Sequence, residues 1–86
     1  MMEKNYNGYT NYETWNVVLI LSNTEWLYLS AKEFIKNFSG MNPYIAFINY
    51  LGYESKRTLD NVAYLGWELN YQELDFFMLD YFKDED

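Results

Sequence analysis

Residues 10–21 read TNYETWNVVLIL, and this stretch decides the fold class of the chain. Thr10 and Glu13 fit a capping box, in which each side chain accepts a hydrogen bond from a free backbone N–H at a helix start. The apolar, partly β-branched run at 17–21 also suits a buried strand. Because a helix cap precedes that run, we predict a helix over 11–21, with a short strand at 17–21 as the alternative.

Similar signals predict further helices along the chain. Ser22 and Glu25 fit a second capping box, Asn42 precedes Pro43, and Asn70 is a suitable cap. The remaining predicted segments are a helix at 24–38, a helix at 43–51, a short helical segment at 59–65, and a helix at 71–83, with an extended connector or short strand at 67–69.

These signals predict a mainly α protein, a compact bundle of three to four short helices. Half of the residues are hydrophobic and the chain is 86 residues long, which is enough for one core without a disulfide or metal. We predict a single helical domain at 10–83, preceded by a flexible N-terminal segment at 1–9 and followed by an acidic tail at 84–86.

The net charge of −7 lies entirely in the last third of the chain. Residues 1–59 carry five acidic and five basic side chains, whereas residues 60–86 carry eight acidic side chains and one base, Lys83. A surface of this sign repels nucleic acid and acidic membranes and attracts basic protein surfaces. The longest apolar run, Val17 to Leu21, is far shorter than a membrane span. We therefore expect a protein partner, no direct nucleic-acid binding, no membrane, and a cytoplasmic location.

Catalytic chemistry is limited because the chain has no His and no Cys. Their absence removes the commonest general base, the thiolate nucleophile and most zinc sites. Carboxylate or magnesium chemistry stays formally open, but so short a chain has little material for both a core and a deep cleft. We predict that the protein is not an enzyme, and that it holds no cofactor and no metal.

The predicted helix at 71–83 carries the candidate binding residues. At about 100° per residue, Glu73, Asp80 and Asp84 form one narrow acidic stripe, while Phe76 and Leu79 fall away from the apolar face that the core would cover. The stripe is either a solvated face or a mimic of nucleic-acid phosphates that fits a basic groove. The complete predicted partner-binding set is Glu73, Asp75, Asp80 and Asp84 for charge, with Phe76, Leu79 and Tyr71 as apolar anchors.

The block Thr10 to Val17, TNYETWNV, resembles the opening of a family of small phage-encoded proteins, and the similarity extends over residues 8–30. Residues 69–75, LNYQELD, resemble that family's closing helix. The family has no settled biochemical function, so the resemblance implies no catalytic residue. Within the block we expect Trp15 to anchor the helix in the core. We expect Asn16, a poor helix former, to bond a buried polar group or a partner.

The resemblance implies a phage or mobile-element origin, and small acidic phage proteins commonly bind host machinery stoichiometrically. We therefore expect an inhibitor of host nucleic-acid machinery, of the anti-CRISPR or antirestriction type. Its expected partner is a basic host nuclease or CRISPR effector protein in the infected cell, and its expected action includes acidic nucleic-acid mimicry. The alternative is a homo-oligomeric structural or adaptor protein with no defence role, and a homodimer fits either interpretation.

Overall fold

Residues 6–82 are described in a computed structural model of the chain, and they form four α-helices followed by a π-helical segment. Beyond two isolated bridges they contain no β-structure, so the predicted mainly α fold is confirmed. No helix in this range is long and apolar enough to cross a membrane. Asp84 and the predicted acidic tail lie outside the described residues. The elements are α1 at Tyr12–Asn23, α2 at Glu25–Lys36, α3 at Pro43–Leu51, α4 at Tyr71–Phe77, and the π-helical segment at Met78–Phe82.

The N-cap of helix α1 is Asn11, one residue later than the predicted cap Thr10. The side chain of Asn11, whose backbone is extended, accepts a hydrogen bond from the backbone N–H of Thr14 at 2.9 Å. This is the usual geometry of an N-cap. The prediction of a capping box with Thr10 as the N-cap is therefore wrong. Val17, Val18 and Leu21 are buried along the helix, so the helix prediction is confirmed and the strand alternative at 17–21 is excluded.

Helices α2 and α3 follow from local signals. Helix α2 starts after a single extended residue, Thr24, whose side chain makes no cap hydrogen bond. Ser22 is not its cap either, because the Ser22 hydroxyl donates back to carbonyl groups of α1. Helix α3 has the predicted bounds, with Pro43 at a position where a backbone N–H is not needed. It ends at Gly52, whose left-handed backbone (φ 75°) would strain any side chain.

The segment between α3 and α4 contains no helix, so the predicted helical segment at 59–65 is wrong. The buried hydroxyl oxygen of Thr58 accepts hydrogen bonds from the backbone N–H groups of Asp60 and Val62, both at 3.2 Å. Side-chain bonds of this kind compete with helix formation. Asn61 adopts a left-handed backbone (φ 69°), which completes the turn. Residues 67–69 are also in a turn and bend, so the alternative strand there is absent.

Helix α4 begins as predicted but changes its winding after two turns. The Asn70 side chain accepts a hydrogen bond from the backbone N–H of Glu73 at 3.1 Å, which confirms the predicted cap. The sequence predicts one α-helix over 71–83, whereas the backbone becomes π-helical at Met78. Met78 and Phe82 are buried nevertheless, so the segment still closes the core. Short π-helical turns are rare and occur frequently at functional sites.

A tyrosine with a buried hydroxyl lies in the core. The Tyr44 ring is fully buried, and its hydroxyl donates a hydrogen bond to the backbone carbonyl of Tyr64. Burial, and to a lesser extent the neighbouring Tyr71 and Tyr64, raises the pKa of the Tyr44 hydroxyl far above its ordinary value. This hydrogen bond ties α3 to the segment 52–70, which has no helix of its own.

The block Thr10 to Asn16 joins the two halves of the chain. Both Thr10 groups, the backbone N–H and the hydroxyl, donate to the Glu73 carboxylate at 2.9 Å. The Thr14 hydroxyl accepts a hydrogen bond from the backbone N–H of Asn70, also at 2.9 Å. The Asn11 amide donates to the backbone carbonyl of Glu68 at 2.7 Å. The most distinctive block of the sequence therefore has a structural role, because it holds the start of α4 against the start of α1.

Asn16 belongs to the same network and is fully buried. Its amide donates to the Asp60 carboxylate and its carbonyl oxygen accepts from the Thr58 hydroxyl, both at 2.7 Å. The expectation that Asn16 bonds a buried polar group is thus confirmed. Trp15 is different, because it is only partly buried and packs with Tyr6 and Tyr12 at the surface. The expectation that Trp15 anchors the core is wrong: the side of α1 that faces the core is occupied by smaller residues.

Candidate protein-binding site

The predicted acidic residues differ in what they contact. Glu73 and Asp75 are partly buried and accept hydrogen bonds within the fold, Glu73 from Thr10 and Asp75 from the backbone N–H of Tyr44 at 2.9 Å. Asp80 is exposed. Asp84 lies outside the described residues. Among the described acids of the predicted set, only Asp80 presents an exposed carboxylate.

Asp75 acts as a cap supplied by another helix. The residue before α3, Asn42, makes no side-chain cap hydrogen bond and has a left-handed backbone (φ 58°). The Asp75 carboxylate instead accepts from Tyr44 in the first turn of α3. A negative charge at a helix N-terminus is favourable because the free N–H groups there carry partial positive charge. Asp75 therefore fixes α4 against α3.

Tyr71, a predicted apolar anchor, is also engaged in the fold. Its hydroxyl donates to the backbone carbonyl of Gly66 at 2.9 Å, and its ring packs against Tyr44 with the centroids 6.0 Å apart. Burial, followed by the nearby charge of Glu68, raises the pKa of the Tyr71 hydroxyl. Both the hydroxyl and the ring of Tyr71 therefore make contacts within the fold.

Phe76 and Leu79 have the exposure that the sequence predicts. Phe76 is 68% exposed and Leu79 is 40% exposed, while Leu74 and Phe77 on the same helix are buried. Tyr81, which the helical pattern places on the core face, is exposed as well. We attribute its position to the π-helical winding, which has more residues per turn than an α-helix and rotates the side chains that follow Phe77.

A tight turn lies beside Phe76. Tyr6 and Tyr9 exchange two backbone hydrogen bonds, at 3.1 and 2.8 Å, across Asn7 and Gly8, which both have positive φ. Residues 6–9 of the segment predicted to be flexible form this turn, and the flexibility of the segment 1–9 stays a prediction. Asn-Gly is the usual dipeptide of such a turn, so the sequence held a signal for it. The turn and helix α4 enclose a pocket of about 410 Å³, which we call the turn–helix groove, lined by Asn7, Gly8, Tyr9, Gln72, Glu73 and Phe76.

The lining of the turn–helix groove includes two aromatic side chains, Tyr9 and Phe76, and one acid, Glu73. The pKa of the Tyr9 hydroxyl is raised, first by burial and then by the negative charges of Glu73 and Asp80. Asp80 therefore lies within electrostatic reach of the groove, although it does not line it. The arrangement suits a partner that offers an apolar contact beside a Lys or Arg side chain. Residues 6–82 contain no cluster of three carboxylates placed to hold a metal ion.

The comparison with protein families gives a match over almost the whole chain. A family model matches residues 2–85. The chain belongs to a family of unknown function, DUF7249. Comparison with curated proteins and with solved structures gave no match. Family membership assigns no activity to the groove, and the phage origin stays a prediction.

The structure brings together only part of the predicted binding set. Phe76, Leu79 and Asp80 are all exposed; Phe76 lines the turn–helix groove, and the charge of Asp80 reaches Tyr9 in its lining. Tyr9 and Gln72 also line this groove, and neither belongs to the predicted binding set. Their position depends on how the N-terminal turn packs on α4, which no local pattern encodes. We call the exposed set Phe76, Leu79 and Asp80 the acidic–aromatic face.

Proposed function

We propose that this protein is a non-enzymatic inhibitor that binds a basic protein of a host's nucleic-acid machinery. In this proposal the acidic–aromatic face and the adjoining turn–helix groove form the contact. Phe76 and Leu79 bury apolar surface in the partner, and Asp80 meets a Lys or Arg side chain. The bound inhibitor covers the basic surface that nucleic acid would otherwise occupy.

The observation that carries the proposal is the exposure of Phe76 beside a concave pocket. A large aromatic side chain that stays 68% exposed, on a helix whose other face closes the core, contributes nothing to that core. Exposed aromatic residues next to pockets are frequent centres of protein interfaces, because they bury a large area with few rotatable bonds. Leu79, three residues further along the chain, is exposed as well.

The sign of the partner's charge follows from the electrostatics of the chain. The net charge is −7, and Asp80 adds an exposed carboxylate at the face itself. Such a surface is repelled by nucleic acid and attracted to the grooves of proteins that bind it. The assignment to host defence, as an anti-CRISPR or antirestriction protein acting in an infected bacterium, is supported by the resemblance of Thr10 to Val17 to small phage proteins.

The direct test is phage plating on bacteria that carry an active CRISPR or restriction system. We expect expression of the wild-type chain to restore plating of a phage that the system targets. Phe76→Ser should abolish the rescue, because losing an interface anchor costs about 2 kcal/mol or more, roughly a 30-fold loss of affinity.

The matched control is Trp67→Ser. Trp67 is 89% exposed and lies in the segment between α3 and α4, outside the turn–helix groove. It loses an exposed aromatic ring as Phe76→Ser does, and it should rescue plating as the wild type does. If the wild-type chain rescued no defended strain, or if Phe76→Ser rescued as well as Trp67→Ser, the proposal would be wrong.

A further inference from the structure

A second groove lies at the opposite end of α1 from the turn–helix groove. It has a volume of about 340 Å³. Thr24 and Ile20 at the end of α1 form one side, and the start of α2 and the segment after α3 complete it. We call it the basic groove, and its lining residues that matter here are Trp26, Tyr53, Lys56, Arg57 and Leu59.

The basic groove combines exposed apolar side chains with two cations. Leu59 is 98% exposed and Trp26 is 51% exposed. Lys56 and Arg57 line the groove, and its lining contains no carboxylate. The Arg57 guanidinium donates to the backbone carbonyl of Asn61 at 2.9 Å, which orients it. This chemistry is complementary to an acidic surface that carries an apolar anchor.

We propose that the basic groove receives the acidic–aromatic face of a second copy of this chain. In the contact, Phe76 and Leu79 of one copy lie against Trp26 and Leu59 of the other. Asp80 pairs with Lys56 or Arg57. The inference does not depend on the proposed inhibitory function, because it concerns the purified chain alone.

Charge complementarity selects this occupant. Two copies that each carry a net charge of −7 repel one another over most orientations. The exception is the orientation in which a groove lined by Lys56 and Arg57 faces an exposed carboxylate. Because other orientations bring like charges together, this orientation is favoured over them. The chain itself supplies the required surface in Phe76, Leu79 and Asp80.

The positions of the two surfaces make the contact intermolecular. Glu73, in the lining of the turn–helix groove, is bonded to Thr10 just before α1, whereas the basic groove is lined by Thr24 just after it. The twelve residues of α1 span about 18 Å between these points. One copy therefore cannot fill its own groove. A contact between two different surfaces closes as a two-fold dimer only if both grooves are filled reciprocally. We place the contact head-to-tail, which leaves one free surface at each end of a pair.

Sedimentation analysis of the purified full chain over a range of concentrations tests the proposal. We expect weak association that continues beyond the dimer as concentration rises, because each added copy presents a new free surface. Phe76→Ser alone and the double variant Lys56→Glu/Arg57→Glu alone should each reduce the association constant about tenfold or more. Trp26→Ser provides a second groove variant that leaves the charge unchanged, and Trp67→Ser should associate as the wild type does.

The decisive arm mixes the two defective variants. Phe76→Ser keeps an intact basic groove and the Lys56→Glu/Arg57→Glu variant keeps an intact acidic–aromatic face, so an equal mixture should form heterodimers that grow no further. The proposal would be overturned if the wild type stayed monomeric or stopped at a symmetric dimer. It would also be overturned if the groove variants associated as strongly as the wild type. A monomeric wild type that still rescues phage plating would leave the inhibitory function standing, so the two failures are distinguishable.

Discussion

Asn16 is a polar side chain in the middle of an apolar helix, and the fold uses both ends of its amide. The amide group donates to Asp60 and accepts from Thr58, so a side chain of α1 fixes the turn that replaces a helix in the middle of the chain. Its poor helix propensity was a usable signal, since a buried Asn needs partners. The identity of those partners was not, because they lie 42 and 44 residues away.

We predict that Asn16→Ala lowers the free energy of unfolding by about 2–4 kcal/mol. The change removes two hydrogen bonds and leaves a buried hydroxyl and a carboxylate with fewer partners. Urea denaturation measures the effect. Asn49→Ala, at an exposed position of α3, is the matched control and should change stability by less than about 0.5 kcal/mol. Equal effects in the two variants would show that the network does not stabilise the fold.

Tyr44 predicts how stability depends on pH. Its pKa is raised in the folded protein, chiefly by burial, whereas in the unfolded chain it ionises near its ordinary value of about 10. Stability from this group is therefore complete below about pH 10 and is lost as the pH rises above it. The free energy of unfolding should fall by about 1.4 kcal/mol per pH unit for this group alone.

The measurement is urea denaturation at about pH 8 and about pH 11, on either side of the ordinary tyrosine pKa. Tyr44→Phe loses the hydrogen bond to the carbonyl of Tyr64, so it should be less stable at the lower pH. It should also lose less stability between the two pH values than the wild type. A part of the alkaline loss should persist, because the pKa values of Tyr9, Tyr64 and Tyr71 are also raised. Identical losses in both proteins would contradict the assignment to Tyr44.

At the scale of the element, helices with local start and stop signals were predictable and those shaped by distant contacts were not. Helix α3 has its predicted bounds because Pro43 and Gly52 mark them within the segment itself. The prediction of a helical segment at 59–65 is wrong because the Thr58 hydroxyl accepts a hydrogen bond within a turn and donates one to α1. The π-helical winding after Phe77 has no local sequence signal that we can identify.

Helix α3 depends on a carboxylate from α4, and this gives a prediction. Asp75→Ala should lower the free energy of unfolding by about 1–2 kcal/mol, because the first turn of α3 loses a charge-assisted hydrogen bond. Asp80→Ala, an exposed acid on the same C-terminal part of the chain, should change it by less than about 0.5 kcal/mol. Thermal or urea unfolding of both variants would detect the difference. Similar losses would mean that Asp75 does not cap α3 in solution.

At the scale of the whole molecule, the acids of the last third lie in two different environments. The sequence predicts one acidic stripe, because Glu73 and Asp80 are seven residues apart on a helix. In the folded chain Glu73 and Asp75 bond the starts of α1 and α3, whereas Asp80 is exposed. Charge and apolar exposure could be read from the sequence. Which acids bond within the fold and which stay exposed could not be read from the sequence, since this depends on hydrogen bonds between residues 31 to 63 positions apart.

The central claim is that Asp75 stabilises the fold whereas Asp80 binds the proposed partner. It is tested most directly by phage plating on a defended host, with Asp75→Ala and Asp80→Lys compared side by side. We predict that Asp80→Lys stays folded and loses the rescue, because it reverses the charge that would face the proposed basic partner. Asp75→Ala should keep the rescue at a temperature at which it is folded, and Glu33→Lys, an exposed charge reversal on α2, should keep it too. Rescue by Asp80→Lys together with its loss in folded Asp75→Ala would contradict the account.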